Sequence, residues 1–454
     1  MTRSRSERYF MLGHPGSGAA LDRDVLTFVP VGCHQDTAVD LADAGPRLAL
    51  LAALLPMLLM TPHARADADD TVKVTVGATV VHDDNLFRLS SSADPNVVLG
   101  KPTKGDDITI SSLALKLNKP YSLQRFELEA SLVDYRYRTF DYLNFTALNY
   151  AAAWRWSVTP FLHGNLTSDR AQTLNSFSDF TGYGTRNLRT DENTRFDGVF
   201  EVSGSWRLLG GLAQSTRTNS QLFVQEGDTR LNTVEGGLRY DFRSGSSLSL
   251  VARDGRGVYF NRPQPLSFPS LFDNRFDQRE NEVRLFWPVT GKTFIDARAA
   301  HVSRTHANFG ERDYAGNVGN VNVIWNVTGK TVLTATVAHE LNSYQFAANS
   351  APPLGTTSYV SIDRFALGAL WQVSAKTALR GRYDYAQRNY RGAIAPSPFN
   401  DRVDTLRSTL LALEWQPLRT LLLSTSLQND RRAANEPGLD FASTALRLTA
   451  QISF

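Results

Sequence analysis

Through most of residues 72–454, apolar and polar side chains alternate with a period of two, and the alternating stretches are separated by Gly, Pro, Asn, Asp and Ser. Period-two alternation makes a strand with one apolar and one polar face. The final nine residues show it most cleanly. Leu446, Leu448, Ala450, Ile452 and Phe454 alternate with Arg447, Thr449, Gln451 and Ser453. The pattern repeats without an intervening helical period, so the chain is expected to be all-β.

The second half is close to a repeat. Glu280–Trp287 turns through Pro-Val-Thr-Gly-Lys into Thr293–His306, and Tyr314–Asn326 turns through Val-Thr-Gly-Lys into Thr331–Phe346. Tyr359–Gln372 and Thr377–Arg391 follow, then Arg402–Trp415 and Thr420–Asp430. Earlier hairpins are expected at Ile108–Asn118 with Arg125–Arg138, at Tyr142–Ser157 with Phe161–Ala171, and at Arg195–Leu208 with Leu212–Glu226 around Gly210-Gly211. Long polar connections are expected at 83–106, at Gln172–Asn193 and in the proline-rich stretch Asn261–Phe276.

Short turns and long polar loops alternate strictly along the chain, as they do in outer-membrane barrels. The count comes to about 18 strands, even as such barrels require when both termini lie on the periplasmic side. All seven tryptophans, Trp154, Trp156, Trp206, Trp287, Trp325, Trp371 and Trp415, stand beside a predicted short turn, on the strand entering it. Indole favours the bilayer interface, so this single layer reads as an aromatic girdle. The expected fold is therefore a transmembrane antiparallel up-and-down β-barrel of about 18 strands with both termini periplasmic. A propeller also repeats hairpins with tryptophan, but it packs four short strands where this chain places two long ones.

Composition fits that expectation. Charged residues make up 20% of the chain, which suits a barrel whose strands meet lipid on alternate residues only. A net charge of +3 with no basic patch argues against a nucleic-acid partner. The single cysteine, Cys33, precedes the expected cleavage site, so the mature chain has no disulfide, thiolate metal site or thiol nucleophile. Leu48–Met60 follows Arg47 as a short apolar run and ends at Ala64-Arg65-Ala66, the pattern of a cleaved secretory signal. The expected organisation is a leader or mis-assigned start at 1–46, a signal peptide at 47–66 and an outer-membrane barrel at 67–454.

Motifs for enzymatic chemistry are weak. Gly291-Lys292-Thr293 and Gly329-Lys330-Thr331 end like a phosphate-binding loop, but Phe286 and Ile324 occupy the position of its first glycine. His82 with Asp83 and Asp84, or His301 with Ser303, lacks the nucleophile-and-base arrangement of a hydrolase. No enzyme, cofactor or metal site is expected. The inward faces are more informative. Placing Phe126, Leu128, Val283, Leu285, Leu333, Val337, Leu379 and Tyr383 outward puts Glu127, Glu129, Glu282, Arg284, Glu340, Arg380, Arg382 and Asp384 inside, as candidates for a hydrated lumen.

Two resemblances add to this reading. The terminal segment, with Leu446, Leu448, Ile452 and Phe454, resembles the closing strand that the barrel assembly machinery recognises. Val80-Val81-His82-Asp83-Asp84-Asn85-Leu86-Phe87-Arg88-Leu89 resembles the opening strand of the EpsL-like outer-membrane barrels, encoded with exopolysaccharide-synthesis genes in exosortase-bearing Gram-negative bacteria. That resemblance implies export or assembly of extracellular polysaccharide through a polar lumen, with outer-membrane lipid, the polysaccharide and periplasmic export proteins as partners. It implies no catalytic residue. A general diffusion porin for small solutes, a barrel enzyme acting on lipid or glycan, and a closed docking platform are the alternative functions.

Overall fold

A computed structural model describes residues 72–178, 183–221, 228–260, 274–307, 310–343, 359–391 and 402–454. The expected leader and signal peptide, and most of the proline-rich connection, lie outside the described residues. The strands are β1 (Val72–Asp83), β2 (Asp106–Tyr121), β3 (Gln124–Tyr137), β4 (Phe145–Thr159), β5 (Leu162–Leu174) and β6 (Leu188–Ser203). Then come β7 (Trp206–Asn219), β8 (Thr229–Asp241), β9 (Ser247–Tyr259), β10 (Arg275–Thr290), β11 (Thr293–His306) and β12 (Tyr314–Thr328). β13 (Thr331–Ser343), β14 (Tyr359–Ser374), β15 (Thr377–Arg391), β16 (Val403–Leu418), β17 (Leu421–Ala434) and β18 (Phe441–Ser453) complete the set.

Each strand pairs antiparallel with its sequence neighbours, and β1 also pairs with β18, from Thr75 opposite Ser453 to Asp83 opposite Ala445. The 18-stranded sheet is thus a closed up-and-down barrel with no free edge. Closure is what permits a strand structure in lipid, where an unpaired backbone amide has no water to turn to. Phe454 completes the seam: its N–H donates to the Val74 carbonyl at 2.8 Å, and its own carbonyl accepts from Val74 at 3.0 Å.

One rim carries connections of two to five residues, the shortest at 122–123, 160–161, 204–205, 291–292, 329–330, 375–376 and 419–420. The other carries the long connections, including 84–105, 138–144 and 175–187. The outward face is apolar above the short-turn rim, with Leu115, Phe126, Leu208, Val234, Leu250, Val283, Leu367, Leu411 and Leu448 all exposed. All seven tryptophans belong to this face at its short-turn edge. Trp154 stacks on Phe126, Trp156 on Phe196, and Trp206 meets Tyr240 edge-on.

The structure revises two expected boundaries and the placement of one tryptophan. The hairpin placed around Gly210-Gly211 turns at 204–205, where Gly204 takes φ 51°, and Gly210 and Gly211 lie inside β7. Trp206 consequently opens the strand leaving its turn instead of closing the one entering it. The connection expected at Gln172–Asn193 shrinks to 175–187, because Asp169 pairs with Asn193 and Arg170 with Glu192 in the ladder. Those strands run past the apolar band, so their outward residues become polar and read as loop.

Candidate functional site

The inward face is lined by charged side chains held against the wall by one another. The most extended group crosses β6 to β11. Arg195 on β6 donates to Glu235 on β8, with Nη1 3.1 Å from Oε2, and Arg253 on β9 donates Nε–H to the same Oε2 at 2.9 Å. Arg253 also reaches Glu280 on β10 at 2.5 Å and Glu282 at 2.9 Å. Arg298 on β11 takes Glu282 from the other side at 2.5 Å, and Arg284 adds a contact to it at 2.8 Å. Arg195 and Glu235 meet across β7 because Gly211 leaves the space open. A Cβ there would stand 2.9 Å from Glu235 Oε1 and 3.1 Å from the Phe196 carbonyl. Removing one partner from such a group leaves the other charges uncompensated, which is the costly direction.

Smaller groups continue the charged lining. Glu127 takes Arg155 at 2.7 Å and Arg125 at 2.8 Å. Asp384 holds Arg364 at 2.7 Å and Arg382 at 2.5 Å, and Arg380 donates to Glu414 at 2.6 Å. Glu129 is well exposed and lies 3.4 Å from Lys116, while Glu340 accepts from Asn342 at 3.4 Å. The inward lining of β12 and β13 includes Asn320, Asn322, Thr334 and Thr336, neutral groups among which Thr336 donates to Asn322 at 2.9 Å. At the β1–β18 seam the lining is hydroxyl, with Thr79 and Thr449 at 3.0 Å and Thr75 and Ser453 at 2.9 Å.

Sequence reading named Glu282 and Arg284 but not Arg195, Glu235, Arg253, Glu280 or Arg298, which share the same network. Their signal was available in the alternation: Glu235 follows outward Val234, and Arg253 follows outward Leu250 and Ala252. What alternation does not report is which inward residues meet across two strands.

The long-loop rim holds an apolar cluster inside the barrel. Phe87, from the connection after β1, is fully buried and packs on Phe140 and Phe177, each with ring centroids 4.6 Å away, and on Tyr183 at 5.9 Å. Val81, Ile108, Ile110, Tyr135, Tyr137 and Phe145 supply the strand side of the cluster. Arg432 on β17 donates to the Ser178 carbonyl, so the connection after β5 reaches the wall six strands away.

Beneath Phe87 the chain makes a clasp. Asp83 is fully buried and accepts from the Asn85 amide at 2.6 Å, from Arg88 Nη1 at 2.6 Å and from the Ser443 hydroxyl at 2.8 Å. The Asn85 side chain donates to the carbonyls of Leu89 at 2.8 Å and Ala442 at 2.9 Å. Arg88 adopts φ 55°, unusual for a residue with a Cβ, which turns its guanidinium back onto Asp83. Burial alone would lower the Arg88 pKa, but the Asp83 carboxylate outweighs it and holds the guanidinium above its ordinary value.

The residues weighed for hydrolysis are not brought together. His82 points outward to Asp107 at 3.5 Å, whereas Asp83 points inward, and His301 faces outward beside Asn317 at 3.0 Å.

No protein family and no curated protein matches the sequence. Among solved structures, the chain is similar to Pseudomonas aeruginosa OccK2 (OpdF), at 12% identity and a TM-score of 0.46 over 84% of this chain and 98% of that one. A BenF-like porin from Pseudomonas fluorescens Pf-5 matches at 10% identity and 0.46, over 85% and 99%. P. aeruginosa OpdK with vanillate matches at 11% and 0.44, over 84% and 99%. At these values the likeness adds nothing to what the strand pairing itself establishes. That pairing is a closed, 18-stranded antiparallel barrel.

Proposed function

We propose that this barrel is a passive outer-membrane channel for small polar solutes, with the long-loop rim outward and both termini in the periplasm. The observation that carries the reading is the inward wall of β6 to β11, where Arg195, Glu235, Arg253, Glu282 and Arg298 form a paired network along the interior. Barrels of 16–18 strands are wide enough to leave an aqueous channel. Paired charges fixed to a wall offer a solute alternating donors and acceptors without trapping either sign, as conduction requires. Lumen roles are proposed for Glu127, Glu129, Glu282, Arg284, Glu340, Arg380, Arg382 and Asp384. Residues 175–178 and 183–187, together with the Phe87 cluster, would narrow the mouth on the side of β17 to β5. Outer-membrane lipid, meeting the tryptophan layer, and the assembly machinery, meeting β18, are the proposed partners.

Polysaccharide export is the second reading. It rests on the resemblance at residues 80–89, which here fold as the clasp at the mouth. One pair of measurements separates the two. Purified barrel in planar bilayers should conduct ions, and a deletion strain should slow small-solute uptake while making normal surface polysaccharide. Loss of polymer with uptake unchanged would favour export. A folded barrel that conducts nothing would remove the channel reading.

A further inference from the structure

We infer that Arg407 and Arg431 form a binding site on the outer wall of the barrel for the phosphate of a phosphorylated outer-leaflet glycolipid. The two arginines are direct cross-strand partners on β16 and β17, and both are exposed on the outward face. Like charges directly opposite each other in an antiparallel pair destabilise it unless an anion lies between them. Arg407 makes no hydrogen bond or ion pair with any described residue, and Arg431 donates only to its neighbour Asn429, at 3.2 Å.

Arg407 and Arg431 differ from the exposed outward Arg230, Arg256, Arg275 and Arg391, none of which has an arginine directly opposite, and from three outward arginines that carry a counter-charge. Arg136 meets Asp134 at 2.7 Å, Arg170 meets Glu192 at 3.2 Å, and Arg279 meets Asp254 at 3.2 Å. Outward carboxylates on strands near the pair are engaged elsewhere. Asp363 on β14 holds His339 at 2.7 Å, and Asp84 accepts from the Thr444 amide at 2.8 Å. Among the described residues no carboxylate supplies the pair with a counter-charge.

Position along the strand identifies the source. Arg407 stands eight residues up β16 from Trp415, and Arg431 eight residues up β17 from Leu423, the partner of Trp415. Eight residues extend about 27 Å, and a tilt near 40° reduces that to about 20 Å of height, close to the apolar thickness of such barrels. With tryptophan at one interface, the arginine pair stands within about 5 Å of the other, and its long side chains extend toward the lipid headgroups. Directly below it the wall is acyl-compatible: Leu411, Leu413, Leu427, Leu446 and Leu448 are exposed. Two guanidinium forks above an apolar wall suit a phosphomonoester carried on acyl chains, since guanidinium grips phosphate through paired N–H donors. The assignment to the outer leaflet rests on the proposed orientation of the long-loop rim.

The test is native mass spectrometry of the barrel extracted from outer membranes in mild detergent, with bisphosphorylated lipid A, dephosphorylated lipid A and phosphatidylglycerol offered in turn. The wild type should retain bisphosphorylated lipid A, and Arg407→Gln with Arg431→Gln should weaken that retention about tenfold or more, as loss of charge-assisted hydrogen bonds predicts. Each single substitution should lose several-fold, so a folding defect in the pair does not decide the matter, and heat-modifiable migration reports the fold. Arg136→Gln, at a position already matched by Asp134, should change nothing. Unchanged retention in folded variants, or equal retention of dephosphorylated lipid A, overturns the site. Displacement by inorganic phosphate alone overturns the lipid source. Preference for phosphatidylglycerol overturns the outer-leaflet assignment. Conductance of the same samples reports separately on the channel.

Discussion

Gly211 and Glu235 face each other across β7 and β8 so closely that a Cβ on the glycine would come within 2.9 Å of the carboxylate. The empty position is what allows Arg195 to reach over β7 and share Glu235 with Arg253. Gly211→Val should displace Glu235 and crowd the Phe196 carbonyl, at a cost of about 1–3 kcal/mol typical of overpacking. The thermal transition of the detergent-solubilised barrel should fall accordingly. An unchanged transition would mean that the wall relaxes freely there. Gly210→Ala, which meets nothing within 4 Å, is the control and should be nearly silent.

Glu282 is contacted by Arg253, Arg284 and Arg298. Glu282→Gln removes one negative charge and leaves three guanidinium groups facing the interior. The reversal potential across a planar bilayer under a salt gradient should move toward anion selectivity. Arg253→Gln should move it the opposite way. Equal reversal potentials in all three proteins would show that this wall does not line the conducting path.

Phe87 is fully buried in the mouth, between rings from two other connections. Phe87→Ala should cost about 3–5 kcal/mol of local packing, the range for large aromatic truncations. The expected outcome is faster protease cleavage within 84–105 with the barrel itself still heat-modifiable. Resistance equal to wild type would show that the clasp alone holds the connection.

Tyr142 lies in the connection between β3 and β4 and donates its hydroxyl to the Tyr183 carbonyl. Burial, with a smaller contribution from the Asp106 charge, pushes its pKa up to about 12. The folded state therefore holds the phenolic proton more tightly than the unfolded chain, whose tyrosine ionises at its ordinary value near 10. This contribution is fully present below about pH 10 and is lost as pH rises toward 12. Because the ring is partly solvated, the effect should be small. It should appear as a loosening of the mouth at alkaline pH that Tyr142→Phe abolishes, read from ultraviolet titration.

Much of the barrel is legible along the chain because its governing signal is local. Lipid on one side and water on the other force alternation, so Leu333, Ala335 and Val337 declare their face without reference to any other strand. The strand number and the tryptophan layer follow from the same signal. Gly210-Gly211 misled because glycine serves two purposes, bending a chain and vacating space, and only the neighbour across the sheet distinguishes them. The network of Glu235, Arg253, Glu280 and Arg298 was hidden for a related reason. Charge positions could be read individually, but their meeting depends on register between strands that carry no complementary pattern in sequence. The Phe87 cluster gathers rings from three separate connections, and nothing periodic marks them.

The clasp of Asp83, Asn85 and Arg88 has a consequence for how the cylinder opens and shuts. β1 and β18 come from opposite ends of the chain, and their joint has no hairpin to hold it. At the short-turn end it finishes in plain backbone bonds between Val74 and Phe454, whereas at the other end Ser443, Ala442 and Thr444 are grasped by Asp83, Asn85 and Asp84. Any breathing of the joint should therefore begin at the terminal end and stop below the clasp, like a zip whose top is sewn.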